Sequence, residues 1–251
     1  MRAIVPGAAL DFILPRRCPC CDARVACEQG LCADCWREMP FLERPWCHRL
    51  GKPFAYDVGE GAWSPQAIAA PPLFDRLRSV AFYDGPARQL VLSLKFSRRR
   101  ELARPMARWM VRSGGELLDR NSLLVPVPLH WSRLLSRRFN QAADLAREIA
   151  REGGGRFEPR LLRRHKRTRQ QVGLTAKDRQ RNVRSAFTLD SSRADGVAGR
   201  PVVLIDDVLT TGSTVAACTR ALLGAGAVSV DVLTFALVDP ASRTGAGSDF
   251  Q

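Results

Sequence analysis

Residues 202–214 run Val-Val-Leu-Ile-Asp-Asp-Val-Leu-Thr-Thr-Gly-Ser-Thr, and no other stretch restricts the fold of this chain as much. Val202, Val203, Leu204 and Ile205 are apolar at every position, which suits a strand buried on both faces. The strand is therefore expected over 202–205, with Asp206 and Asp207 at its C-terminal end. A small, hydroxyl-rich turn follows: Thr210, Thr211, Gly212, Ser213 and Thr214. Behind it, Val215, Cys218 and Leu222 fall on one face of a helical pattern. In an open α/β sheet, ligands sit outside the carboxyl ends of the strands. A Gly/Ser/Thr turn at a helix N-terminus offers N–H groups and hydroxyls to a phosphate. Two carboxylates beside it can hold the hydroxyls of a ribose. A turn that merely needed capping would use one acid, so the succession points to a phosphorylated ribose.

The rest of the chain supplies a matching frame. Strands are expected over 78–83, 123–127 and 228–238, and helices over 87–94 and 101–111. Asn140 can cap a further helix whose inner face carries Ala142, Leu145 and Ile149. Strands separated by helical patterns imply an α/β fold, a parallel sheet flanked by helices. Between Leu161 and Phe187 the pattern breaks into a polar, strongly basic run that includes His165. Such a segment inside a compact domain is functional or structureless. The plain reading of it is a solvated basic surface.

The 251 residues are 45% hydrophobic, enough for one ordinary domain plus a small module. No apolar run of about 18 residues exists, so no membrane-spanning helix is expected. Pro6, Asp11 and the lack of a small-residue cleavage site argue against a signal peptide, and a cytoplasmic location is expected. The formal net charge is +14. Sixteen Arg or Lys stand against five Asp or Glu between Arg133 and Arg184, a local balance of +11. A polyanion is the usual partner of such a stretch, whether pyrophosphate or nucleic acid. Only Phe139 and Phe157 interleave within it, with Phe187 just beyond, fewer aromatics than a single-stranded nucleic-acid platform uses.

Seven of the eight cysteines precede residue 48. Cys18 with Cys21 and Cys32 with Cys35 form two C-x-x-C pairs, the spacing of a closed tetrahedral Zn²⁺ site with a structural role. Cys20 is a possible substitute within the first pair and Cys27 within either, though Cys27 is expected to be a free thiol. Cys47 is expected to be a free thiol, because Leu50 stands where a third C-x-x-C would need a cysteine. Cys218 suits a small buried hydrophobe. A Gly/Pro-rich stretch over 51–72 reads as an extended connection. The expected division is a cysteine module and linker over 1–72, the larger domain over 73–240, and a frayed tail over 241–251.

Residues 206–214 resemble the 5-phosphoribosyl-1-pyrophosphate (PRPP) motif of type I phosphoribosyltransferases. The chain as a whole resembles the ComF/GntX family, a cysteine module joined to a phosphoribosyltransferase-like domain. The resemblance rests on Cys18, Cys21, Cys32 and Cys35; on Pro126, Pro128, Arg137 and Phe139-Asn-Gln141; on Thr168, Gln171, Leu174, Arg179 and Asn182; and on 206–214. It implies that Asp206 and Asp207 contact the ribose 2- and 3-hydroxyls and that Thr210, Thr211, Gly212, Ser213 and Thr214 hold the 5-phosphate. It implies that Arg133 and Arg137 bind pyrophosphate together with Mg²⁺, and that Arg167, Thr168, Gln171 and Arg179 belong to a closing loop. Arg138 departs from the glycine many members carry there, and Leu50 departs by breaking a third cysteine pair. The family is tied to DNA uptake during natural transformation. The expected activity is transfer of phosphoribosyl from PRPP to an unknown acceptor. The alternative is a non-catalytic domain that binds nucleotide or single-stranded DNA for DNA import or processing.

Overall fold

The computed structural model describes residues 16–25, 30–96, 99–129, 139–164, 187–190 and 196–239. Two short helices lie in the N-terminal part, α1 (Ala33–Arg37) and α2 (Pro65–Ala69). The larger part follows as β1 (Leu77–Phe82), α3 (Gly85–Phe96), α4 (Ala103–Gly114), β2 (Leu123–Pro126) and α5 (Gln141–Arg151). It continues through β3 (Arg156–Phe157), β4 (Leu162–Arg164), β5 (Phe187–Leu189), β6 (Pro201–Leu209), α6 (Ser213–Gly224) and β7 (Ser229–Leu237).

Five strands form one sheet in the order β1-β7-β6-β2-β3, and every pairing in it is parallel. The expected parallel sheet with flanking helices is therefore what the chain builds. Alternation along β6 sends Val203 and Ile205 to one face, against Leu90 and Leu94 of α3, Met106 of α4 and Leu145 of α5. It sends Val202 and Leu204 to the other, against Val215, Cys218 and Leu222 of α6. Both layers are closed, which is why β6 begins without polar residues.

Strand β6 is longer than its apolar run. Its ladder with β7 continues through Asp206↔Thr234 and Val208↔Ala236 to Leu209↔Leu237. The two acids thus lie inside the strand rather than beyond its end, because β7 runs on and keeps offering backbone partners. Parity then separates them. Asp207 shares the α3 face with Ile205, and Asp206 shares the α6 face with Leu204.

The N-terminal part is built onto the sheet. Leu42 N–H donates to Val80 O at 2.9 Å and Phe82 N–H to Pro40 O at 2.9 Å, so residues 40–42 run antiparallel along the outer edge of β1. Trp36 packs on Phe41 and Trp109, and Trp109 on Phe235, at centroid distances of 4.8, 5.9 and 6.1 Å. Arg78, only 2% exposed, binds Glu116 and donates to His48 O at 2.9 Å. Within the stretch read as an extended connection, Ser64 caps α2, with Pro65 at its first turn. The broken pattern between Leu161 and Phe187 also hides structure at its ends. Arg164 pairs antiparallel with Phe187, which holds the two ends of the basic segment side by side.

Candidate functional site

The acid pair opens into a cavity of about 170 Å³ at the C-terminal ends of β6 and β2, lined by Lys95, Asn140, Gln141, Arg164, Asp206 and Asp207. Asp206 Oδ1 accepts the N–H of Asp207 at 2.9 Å. Asp207 is buried on the α3 side, and its Oδ2 meets Lys95 Nζ at 3.2 Å. Burial, then the adjacent charge of Asp207, push the Asp206 carboxyl up to about 8, and Lys95 offsets this only in part. Two carboxylates this close resist ionising together, so the site favours a ligand that gives them hydroxyl donors.

The turn after β6 supplies the second feature. Gly212 has φ +73°, and a Cβ there would meet nothing within 4 Å, so glycine is required by the backbone and not by crowding. Thr211 Oγ1 and Ser213 Oγ lie 3.2 Å apart. The helix α6 starts at Ser213, and its first N–H groups face outward from the turn without an intrahelical partner. The turn thus offers backbone donors, hydroxyls and a helix N-terminus, groups suited to a phosphate.

Sequence reasoning missed Lys95 and Gln141. Lys95 closes α3 and reads as an ordinary basic residue of a last turn. Gln141 opens α5 and is 2% exposed, yet its Nε2 has no hydrogen-bond partner among the described residues. A buried amide donor without a partner, lining the same cavity as the acid pair, is poised for a ligand acceptor. Asn140 Oδ1 accepts the N–H of Ala142 at 3.1 Å while its Nδ2 donates to Val127 O at 3.1 Å. The predicted cap thus also ties α5 to the loop after β2. Arg133, Arg137, Arg167, Thr168, Gln171 and Arg179 lie outside the described residues, as do His165 and Cys27.

Cys18, Cys21, Cys32 and Cys35 come together in the N-terminal part, their sulfurs all within 4.8 Å of one another. Tetrahedral Zn²⁺ with Zn–S near 2.3 Å requires sulfurs about 3.8 Å apart. Cys21 and Cys32 Sγ stand at 3.4 Å, so the four thiols fit the ion with small adjustments. Burial alone would raise the Cys18 thiol, but the backbone around Cys32, Cys21 and Cys20 lowers it to about 6, favouring the ligating thiolate. Cys20 stays out of the cluster, its Sγ directed at Pro86 O at 3.6 Å. Cys47 is buried, and its Sγ accepts N–H groups from Leu50 at 3.4 Å and Ser64 at 3.2 Å.

The chain is similar to known proteins over most of its length. A double zinc ribbon domain matches residues 9–66, and a phosphoribosyl transferase domain matches residues 137–248. The DNA utilization protein YhgH of Salmonella typhimurium is 36% identical over 212 residues, 81% of this chain and 88% of that protein. Its counterpart in Escherichia coli strain K12 is 34% identical over 211 residues, with the same two coverages of 81% and 88%. Competence protein F of Haemophilus influenzae is 28% identical over 210 residues, 82% of this chain and 89% of that protein. This chain belongs to the ComF family. Among solved structures, a hypoxanthine phosphoribosyltransferase from Staphylococcus aureus overlays 61% of this ComF-family chain and 67% of its own, at 15% identity and a TM-score of 0.31. The ribbon match fits the four-cysteine cluster and a structural zinc. Among the described residues no helix is long and apolar enough to cross a membrane.

Proposed function

We propose that this ComF-family chain binds PRPP and transfers its phosphoribosyl group to an acceptor with release of pyrophosphate. The observation that carries the reading is the doubled acid at the sheet's C-terminal edge, followed directly by an open phosphate turn at the start of α6. Residues 210–214 anchor the 5-phosphate, and Asp206 and Asp207 orient the ribose through its hydroxyls. As the bond from C1 to pyrophosphate breaks, positive charge grows on C1 and the ring oxygen, the electronic pattern of glycoside cleavage. Lys95 and the amide of Gln141, which line the same cavity, are assigned to the negative charge that then accumulates. Arg133 and Arg137 follow β2 in sequence and are assigned to the same leaving group. Asp206 and Asp207 are the carboxylates of this cavity; with substrate oxygens and water they would hold Mg²⁺, which would supply positive charge to the departing pyrophosphate.

The basic stretch and the relatives' names, DNA utilization protein and Competence protein F, favour a second reading. In it the domain binds nucleotide or single-stranded DNA without catalysing transfer. Calorimetric titration with PRPP and Mg²⁺ tests the first reading on wild type and on Asp206→Asn/Asp207→Asn. Asn keeps the size but loses the charge and one acceptor oxygen. Binding by wild type and none by a folded double variant is the expected result. Equal binding by both removes the reading. Binding that depends on the acids, with no pyrophosphate released under any acceptor, selects the non-catalytic alternative.

A further inference from the structure

The corner between α3 and α4 carries two successive arginines that grip different parts of the molecule. Arg99 donates from Nη1 to Pro19 O at 3.5 Å and from Nε to Glu101 at 3.0 Å. Arg100 turns onto α5. Its Nε donates to Asp144 Oδ2 at 2.8 Å and its Nη2 to Asp144 Oδ1 at 2.7 Å, a two-pronged grip on a buried carboxylate. The same guanidinium lies over the Phe139 ring, 5.5 Å from its centroid. One side chain thus holds the first turn of α5 by its edge and the residue before the helix cap by its flat face.

An ion pair that served packing alone would need neither the stack nor this place in the chain. Phe139 is followed by Asn140, whose amide is fixed at both ends by Ala142 N–H and Val127 O. Next comes Gln141, buried in the wall of the acid cavity, with an Nε2 that has no partner among the described residues. Two residues are therefore immobilised just ahead of a donor left for a ligand. Arg100, Phe139 and Asp144 do not line that cavity, so Arg100 acts from behind its wall. Lys95, which does line it, ends α3 a few residues before Arg100. The corner thus joins the helix that carries the cavity's lysine to the helix that carries its amide donor.

We infer that Arg100 is a positioning residue for pyrophosphate: through Asp144 and Phe139 it fixes the start of α5 so that the Gln141 amide donates to a phosphate oxygen. The inference rests on the PRPP reading, which assigns Lys95 and Gln141 to the leaving group. An amide held in one orientation binds its acceptor without first losing rotamer freedom. Arg100→Lys keeps the charge but neither the fork nor the flat stack. Arg100→Gln should leave the chain folded, because the arginine side chain is 55% exposed and Asp144 Oδ1 still accepts from Arg147 Nη1 at 2.9 Å.

The test is a double-mutant cycle on the full-length protein, with inorganic pyrophosphate and Mg²⁺ as the probe and calorimetry as the readout. Wild type, Arg100→Gln, Gln141→Leu and the double variant are titrated side by side. Each single change should weaken binding by about tenfold. The double variant should bind about as well as Gln141→Leu alone, since the arginine has then lost the group it positions. Arg100→Lys should be as weak as Arg100→Gln. If Arg100→Gln melts below the assay temperature, Arg100→Lys takes its place in the cycle. Full affinity in Arg100→Gln overturns the inference. So do losses that multiply in the double variant, because Arg100 then acts without Gln141. Affinity restored by Arg100→Lys also overturns it, because the side chain then acts by charge alone. In each of these cases wild type binds pyrophosphate and the PRPP reading stands. A wild type that binds neither pyrophosphate nor PRPP removes that reading, and this inference with it.

Discussion

Asp206→Asn should make the protein more stable while removing its ligand. Burial and the charge of Asp207 hold the Asp206 carboxyl at about 8 in the fold, whereas an unfolded aspartate titrates near pH 4. The folded value is the higher one, so between the two the native chain binds more protons than the unfolded chain. Stability from this group is therefore greatest in acid, falls as pH rises from about 4 to about 8, and is level above that. From pH 5 to pH 7 the loss is at most about 3 kcal/mol, and sharing of charge with Asp207 and Lys95 reduces it. Asparagine does not titrate. The stability gap between variant and wild type should thus widen, by up to about 3 kcal/mol, between those two pH values. Urea melts of both proteins at each pH measure it directly, provided the slopes agree. A gap that stays constant or narrows would falsify the argument, because it would mean that Asp206 is ionised in the folded protein. The same samples, titrated with PRPP and Mg²⁺, should show affinity lost as stability is gained.

Two further outcomes are expected. Protein prepared with zinc available should carry one ion per chain, and Cys32→Ser should lose it. Faster amide exchange over 16–39 should follow, with the parallel sheet intact; a variant that retains full metal content would exclude Cys32 as a ligand. Replacing Arg133 and Arg137 together by Ala should weaken Mg²⁺-pyrophosphate binding by about a hundredfold at low salt, and unchanged affinity would make the pair a solvated face.

Much of the frame was legible because it rests on periodicity. The apolar run at Val202 to Ile205, the stripe of Ala142, Leu145 and Ile149, and the long apolar strand before Asp239 each announce a buried face. The end of β6 was not legible. Whether Asp206 and Asp207 stay in the ladder depends on how far β7 runs beside them, a long-range fact that local sequence does not carry. The C-x-x-C pairs were readable from spacing alone. Lys95 was not, since its meeting with Asp207 follows from strand parity and the packing angle of α3. Gln141 beside a capping asparagine looks like an ordinary first-turn residue until its burial and its missing partner are seen. The aromatic chain from Trp36 through Trp109 to Phe235 was equally hidden, because three separate segments contribute to it.

The antiparallel stretch at residues 40–42 matters for how the chain is made. Strand β1 emerges early, and among the described strands its neighbour in the sheet is β7; Ser79 and Thr234, whose hydroxyls meet at 2.7 Å, are 155 positions apart. Until that partner leaves the ribosome, β1 is an apolar ribbon with two open sides, the kind of segment that seeks strangers. The preceding residues already pair with one of those sides through Leu42 and Phe82. A ribbon nucleated by its own metal can therefore act as a chaperone in cis, covering half of β1 while the nascent chain waits for β7.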